Sequence, residues 1–198
     1  MLARELMRSR CAKRRFRQRG ATVVEFALIA LLFFSFLFAV IELARIMFLF
    51  NTLEEVTRRA ANATSVSDPS SASTISAIRI SSIFRNTSGG LALMPGLTDE
   101  AVRIDYGSVS RSSTGDYTTQ FSSTAAPTSA SENRQNCAAD PYASNCIRLV
   151  RVRICDPAIA SSCEAMKFQP LTTLFGFEIS LPLATTIVKA QSFGQNPG

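Results

Sequence analysis

The sequence predicts an α+β protein in which a long N-terminal helix, transmembrane in its first half, packs on a small antiparallel sheet that also carries a second short helix. Three observations support this fold class. No Gly or Pro interrupts residues 21–65, as expected of one continuous helix. Apolar and polar residues alternate in 101–106, 147–155 and 183–193, which is typical of half-buried strands. Four of the five cysteines fall in the last third of the chain, where disulfides could stabilise a small domain.

A dense basic run precedes the apolar part of the helix. Residues 1–20 hold eight Lys or Arg and one Glu, so residues 21–198 carry a net charge of −1 although the whole chain carries +6. The basic character therefore belongs to the N-terminal run and predicts no nucleic-acid-binding surface in the remainder. Cationic residues before an apolar segment hold that end in the cytoplasm, so we expect the rest of the chain to be exported.

Residues 21–41 form the predicted transmembrane part of the helix. Residues 26–41 contain no charge and only one polar residue, Ser35, and the whole segment has about the 20 residues needed to cross the hydrocarbon core of a bilayer. Glu25 is the exception, because a carboxylate inside a membrane is costly and usually has a partner or a function. Two alternatives remain open. Glu25 could stay hydrated at the membrane edge, or the segment could be an ordinary secretory signal, although no small-x-small cleavage site follows it.

Helical periodicity continues beyond the membrane through residues 42–66, the predicted periplasmic part of the helix. Apolar residues recur there every three or four positions and form one stripe that would face a soluble domain: Ile46, Leu49, Leu53, Val56, Ala60 and Ala63. The helix should end where Ser67-Asp68-Pro69 interrupts it. The small residues 60–63 are the predicted cover for one face of the sheet.

Residues 67–198 are the predicted exported α+β domain. We expect Asp68 to cap a second helix with Pro69 in its first turn, and Gly89-Gly90 to follow its end. A Ser/Thr-rich stretch, 108–136, is expected to be a loose hairpin or a surface loop, with one weak strand at 116–121.

The strand 147–155 is the clearest in the sequence. It places Val150 and its alternate neighbours on one face, and Arg151 and Arg153 on the other, where they belong either to a solvated face or to a binding patch. The segment 166–183 is apolar and is interrupted by Pro and Gly. We interpret it either as a connector that packs over the sheet or as a contact with another subunit.

The four cysteines of the exported part predict two disulfides. The pairs Cys137–Cys146 and Cys155–Cys163 are favoured because each closes a short loop, although two other connectivities exist. The chain contains no histidine, no phosphate-binding loop and no dinucleotide fingerprint. We therefore expect no catalytic residues, no cofactor and no metal, and a protein that is not an enzyme.

The junction resembles a type III signal of the pilin kind, in which a basic leader ends in Gly and Glu is the fifth mature residue. The longer stretch resembles the N-terminal signature of TadE-like proteins, minor pseudopilins of the tight-adherence (Tad) pilus system. That signature is carried by Gly20, by Glu25-Phe26, by the segment 41–45 (IELAR) and by 58–61 (RRAA). The tail from Pro170 onward is similar to the closing segment of that family.

The resemblance implies a structural role. A prepilin peptidase would cut between Gly20 and Ala21, and Glu25 with Phe26 would act in assembling or priming Flp-type pili. The implied partners are that peptidase, a sibling pseudopilin, the Flp-type pilin and the inner-membrane platform. The implied location is the bacterial inner membrane, single pass, with the N-terminus cytoplasmic and the C-terminal domain periplasmic, or the pilus itself. The alternative is an unprocessed single-pass envelope protein with an exported binding domain.

Overall fold

The computed structural model describes residues 2–91, 93–122, 129–159, 161–170, 179–190 and 193, with residues 2–19 described as backbone only. The chain separates into two compact units, Met1–Ile46 and Met47–Gly198. The first is helical wherever it is described. The second combines helices with antiparallel sheets, so the predicted α+β class is confirmed.

Helix α1 comprises Leu2–Val66, which includes the basic run as well as the predicted helical segment. Its end agrees with the predicted break, because a turn at Ser67 and Pro69 follows it directly. The predicted apolar stripe is buried at Ile46, Leu49, Leu53, Val56 and Ala60. Beyond that point the buried positions move to Ala61 and Thr64, and Ala63 is half-buried.

Helix α2 comprises Ala72–Ser82 and begins later than predicted. Ser71 is its N-cap and accepts a hydrogen bond from the Thr74 amide, whereas Asp68 accepts bonds from the amide and hydroxyl of Ser70 in the preceding turn. Asp68 was therefore the wrong cap, because Pro69 and Ser70 complete a separate turn before the helix starts.

The end of helix α2 is an unusual left-handed cap. Phe84 has a φ of 60°, its amide donates to the Ser81 carbonyl, and the Arg85 amide donates to the Ile80 carbonyl. This is the hydrogen-bond pattern of a Schellman motif, in which glycine normally occupies the left-handed position. The Arg59 guanidinium of α1 lies 4.5 Å from the centre of the Phe84 ring and helps to hold this strained residue.

The main sheet contains four antiparallel strands in the order β4-β3-β5-β8. These strands are β3 (Val102–Arg111), β4 (Tyr117–Ser122), β5 (Ile147–Ile154) and β8 (Thr185–Lys189). The predicted small antiparallel sheet is confirmed. Strand β3 is longer than expected because it pairs with both β4 and β5, and the last strand is shorter than the predicted 183–193.

Two small ribbons accompany the main sheet. Strands β1 (Gly90–Leu91) and β2 (Met94–Thr98) pair with each other, and a 3-10 turn at Asp99–Ala101 leads into β3. A Cβ at Gly90 would lie 2.0 Å from the Pro95 carbonyl oxygen, so this close approach requires glycine. In the predicted connector 166–183, β6 (Lys167–Phe168) pairs with β7 (Ile179–Ser180), and residues 171–178 lie outside the described residues.

Where the chain is described, the Ser/Thr-rich stretch 108–136 contains a hairpin, the first of the two alternatives predicted for it, because the end of β3 pairs with β4 and β4 lies on the predicted weak strand 116–121. It contains the end of β3, all of β4 and the start of helix α3 (Ala130–Ala139). Ser129 caps α3 by accepting a hydrogen bond from the Glu132 amide at 3.1 Å. The sequence Ser-x-x-Glu is a capping-box signal that could have predicted this helix.

The core lies between the second half of α1 and one face of the main sheet. Alternate residues of β3 and β5 are buried there, including Ile104, Val150 and Val152. The Thr57 and Thr186 hydroxyls lie 2.8 Å apart and join α1 to the last strand. Ala60 and Ala61 are fully buried, which agrees with the predicted role of small residues in the helix–sheet contact.

Both disulfides of the structure lie in the last third of the chain. Cys137 bonds to Cys146, and Cys155 bonds to Cys163. The first joins α3 to the residue that precedes β5, and the second closes the loop that follows β5. Together they fix both ends of the central strand, each by closing a short loop.

Candidate functional site

The candidate site begins at Gly20 and Ala21, which lie within the continuous helix α1 and are exposed. A Cβ built on Gly20 would meet no atom within 4 Å. Neither packing nor backbone conformation therefore requires a glycine here. Gly20 in mid-helix costs about 1 kcal/mol of helix stability relative to alanine, so its presence needs another reason.

The apolar segment that follows is exposed along its whole length. Its most hydrophobic 18-residue window has a mean hydropathy of 2.6, and none of that window is buried within the protein. Phe26 and Phe36 are 73% and 71% exposed. Covering one such side chain is worth about 1.5–3 kcal/mol, so this surface requires lipid or other helices around it. The segment is long and apolar enough to cross a membrane, which fits a single-pass membrane protein.

Glu25 and Phe26 lie side by side in the exposed segment. Glu25 is the single ionisable residue between Gly20 and Ile41, and it is exposed among apolar side chains. Further along the segment, the Ser35 hydroxyl donates a 2.7 Å hydrogen bond to the Leu31 carbonyl within the helix. Ala21 and Glu25 are four residues apart and therefore share one helix face.

A second carboxylate, Glu42, marks the end of the apolar segment. It lies 3.3 Å from the Arg45 guanidinium, one turn further along, and both side chains are largely buried. Each of these two largely buried charges is therefore neutralised by the other. These two residues are the charged members of the IELAR segment.

Comparison with known proteins finds one similarity, which lies in this helix. Residues 20–62 match the model of the TadE-like protein family. The resemblance predicted from the sequence is confirmed. The matched segment starts at Gly20, includes Glu25, Phe26 and the Glu42–Arg45 pair, and ends on the buried stripe of α1.

The TadE-like match is confined to residues 20–62 and does not extend into the sheets of the second unit. No curated protein and no solved structure gives a significant match. Within the described part of the chain, no three His, Cys, Asp or Glu side chains cluster as metal ligands would.

The sheet face opposite α1, which we call the outer face, is more organised than predicted. Asp105 is 4% exposed, and its Oδ2 accepts hydrogen bonds from Arg151 and Arg153 at 2.8–3.0 Å. The two arginines are therefore not a freely solvated face. They share one buried carboxylate, which leaves one net positive charge at this point.

A glycine supports this cluster. Gly107 pairs with Phe121 across β3 and β4, and a Cβ on Gly107 would lie 2.6 Å from the Phe121 ring. The ring therefore lies flat across the glycine, and the Arg151 guanidinium stacks 4.1 Å from its centre. The sequence signal for this arrangement, a glycine within an alternating strand, is present but does not identify its aromatic partner.

Two further tyrosine environments differ sharply. Burial raises the pKa of Tyr106 to about 12, and its ring packs edge-to-face on Phe193 on the side of the core. Tyr117 is exposed on the other side, where a hydrogen bond with the Tyr142 hydroxyl raises the pKa of Tyr117. Sequence reasoning missed the second pair because its members come from separate segments.

Proposed function

We propose that the protein is a minor pseudopilin that a prepilin peptidase processes and that Flp-type (Tad) adhesion pili need for assembly or priming. The observation that carries the proposal is the TadE-like match over residues 20–62, which includes the exposed apolar segment that follows Gly20 in helix α1. The role is structural and requires no catalytic group.

Processing is the first step of the proposed role. Cleavage between Gly20 and Ala21 removes seven net positive charges and leaves a new ammonium on Ala21 at the start of the apolar segment. Before it is removed, the basic leader has kept the N-terminal end of the helix on the cytoplasmic side of the membrane. Gly20 has no packing role, so its function in this proposal is recognition by the peptidase.

Neutralisation is the second step. In a low-dielectric environment, an unpaired ammonium and an unpaired carboxylate are each costly, whereas a pair offsets much of that cost. The Ala21 ammonium of one subunit would pair with Glu25 of its neighbour as helices associate. Phe26 and the exposed apolar residues would then exchange lipid for neighbouring helices.

The proposed partners are the prepilin peptidase, a sibling pseudopilin, the Flp-type pilin and the inner-membrane platform of the assembly machine. The proposed location is the bacterial inner membrane, single pass, with residues 67–198 in the periplasm, from which the protein could enter the fibre. Two disulfides in this part fit an oxidising compartment.

The first prediction concerns cleavage. In cells that contain the peptidase, intact mass spectrometry of the membrane-extracted protein should give a mature N-terminus at Ala21. Gly20→Ala should reduce the cleaved fraction several-fold. The substitution meets no neighbouring atom and favours the helix by about 1 kcal/mol, so misfolding would not explain the loss.

Gly96→Ala is the matched control, because its added methyl group would meet only an ordinary contact at 3.7 Å. It should be cleaved like the native chain. An intact leader in the native protein would contradict processing. That result would favour the alternative, an unprocessed single-pass envelope protein whose exported domain binds a partner.

A further inference from the structure

The outer face of the sheet carries a cavity that the pilus role does not explain. It has a volume of about 570 Å³, within the range of small-ligand pockets. Strands β3, β4, β5 and β8 contribute to it, and so does the segment from α3 to Tyr142. The lining residues important for its chemistry are Tyr117, Arg134, Tyr142, Arg148 and Lys189.

The charge of this cavity is one-sided. Arg134, Arg148 and Lys189 line it, and none of the described lining residues is acidic. Residues 47–198 as a whole contain twelve basic and twelve acidic residues, so this concentration of cations is local. Within the described part of the chain, neither Arg148 nor Lys189 forms an ion pair. Three cations gathered without a counter-charge favour an anionic ligand.

The aromatic residues of the cavity form a continuous surface. The Tyr117 and Tyr142 ring centres lie 5.7 Å apart, with their planes inclined at 41°. The Arg148 guanidinium lies 5.9 Å from the Tyr142 ring centre, so one of the three cations of the cavity is next to its aromatic surface. Tyr117 is 58% exposed although it is a large aromatic residue. Exposed tyrosines offer an apolar face together with a polar edge.

We propose that this cavity binds a short acidic saccharide of up to three sugar rings that bear carboxylates. The apolar face of a sugar ring would pack on the tyrosines, and its carboxylates would pair with Arg148 and Lys189. The volume suits a ligand of this size. The site gives the exported domain a ligand-binding function that is independent of leader processing.

The same features disfavour a nucleic acid as the ligand. Proteins that follow a nucleic-acid backbone use many phosphate contacts and usually a strongly basic domain, whereas this unit has balanced charge.

The chain provides its own optical probe. It has three tyrosines and no tryptophan, and two of the three tyrosines line the cavity while Tyr106 is buried in the core. Tyrosine fluorescence of the full-length protein in an uncharged detergent can therefore be titrated with trigalacturonate. The neutral trisaccharide maltotriose and a single-stranded thymidine oligonucleotide are the comparison ligands.

Trigalacturonate should change the fluorescence saturably, and the Arg148→Gln/Lys189→Gln variant should bind it about tenfold or more weakly. Lys167→Gln changes an exposed strand lysine outside the cavity and should bind normally. Near-UV circular dichroism would show that the variants are folded. Absence of saturable trigalacturonate binding, equal binding of maltotriose, tighter binding of the oligonucleotide, or unchanged affinity in the double variant would each overturn the proposal.

Discussion

At the scale of single residues, Gly107 determines how the outer face of the sheet is built. Without a side chain, it lets the Phe121 ring lie across β3, and Arg151 stacks on that ring while it holds Asp105. Each member of this series fixes the position of the next. An alternating strand pattern predicted β5 and its two arginines, but it could not reveal that Asp105 and Phe121, 16 residues apart, meet the same guanidinium.

Gly107→Ala should destabilise the domain by about 1–3 kcal/mol, because the new methyl group would overlap the Phe121 ring and displace Arg151 from it. The urea midpoint of the tyrosine fluorescence transition measures this change. Gly96→Ala, also in a strand, should shift the midpoint little. Equal urea midpoints for the two variants would contradict this prediction, because they would show that the Phe121 ring moves aside without loss of stability.

At the scale of elements, helix α1 has two environments along its length. Its apolar side chains are exposed all round between residues 23 and 41, whereas a single stripe is buried from residue 46 onward. Periodicity predicted both halves because each depends on local sequence. The same method missed α3, since that helix has no apolar stripe and its only strong signal is the Ser129 cap. It also placed the cap of α2 at Asp68, where a Pro-containing turn competes with the helix.

Ala60→Leu tests the close contact between α1 and the sheet. Ala60 is fully buried and lies one helical turn after Thr57, whose hydroxyl contacts the Thr186 hydroxyl. A larger side chain at position 60 should therefore lower the free energy of unfolding by about 1–3 kcal/mol. The measurement is again the urea midpoint of tyrosine fluorescence. Asn62→Leu places the same side chain on the exposed face of the helix and should be nearly neutral. A similar loss at both positions would indicate an effect on the helix itself rather than on packing.

At the scale of the whole molecule, the charges are arranged by segment rather than spread evenly. The N-terminal run holds a net +7, the apolar segment holds one carboxylate, and residues 47–198 are balanced. The candidate site at the start of the apolar segment of α1 was predictable from sequence, because its residues lie within six positions of one another and their spacing is itself the signal. The cavity was not predictable, because Tyr117, Tyr142, Arg148 and Lys189 meet only when four strands and α3 are assembled.

The central claim is that Glu25 acts in assembly and not in folding or export. The described structure gives it no partner in its own domain, and its exposure in an apolar segment leaves a neighbouring subunit to supply one. Glu55, exposed on the same helix beyond the apolar segment, offers a matched carboxylate.

The most direct measurement is therefore made on cells that carry Glu25→Ala, with Glu55→Ala as the control. Pili are counted by electron microscopy, and the N-terminus of the membrane-extracted protein is determined by mass spectrometry. We predict that both variants are cleaved before Ala21, that Glu55→Ala cells have normal pili, and that Glu25→Ala cells have lost most of theirs. Normal pili on Glu25→Ala cells with correctly processed protein would contradict the account.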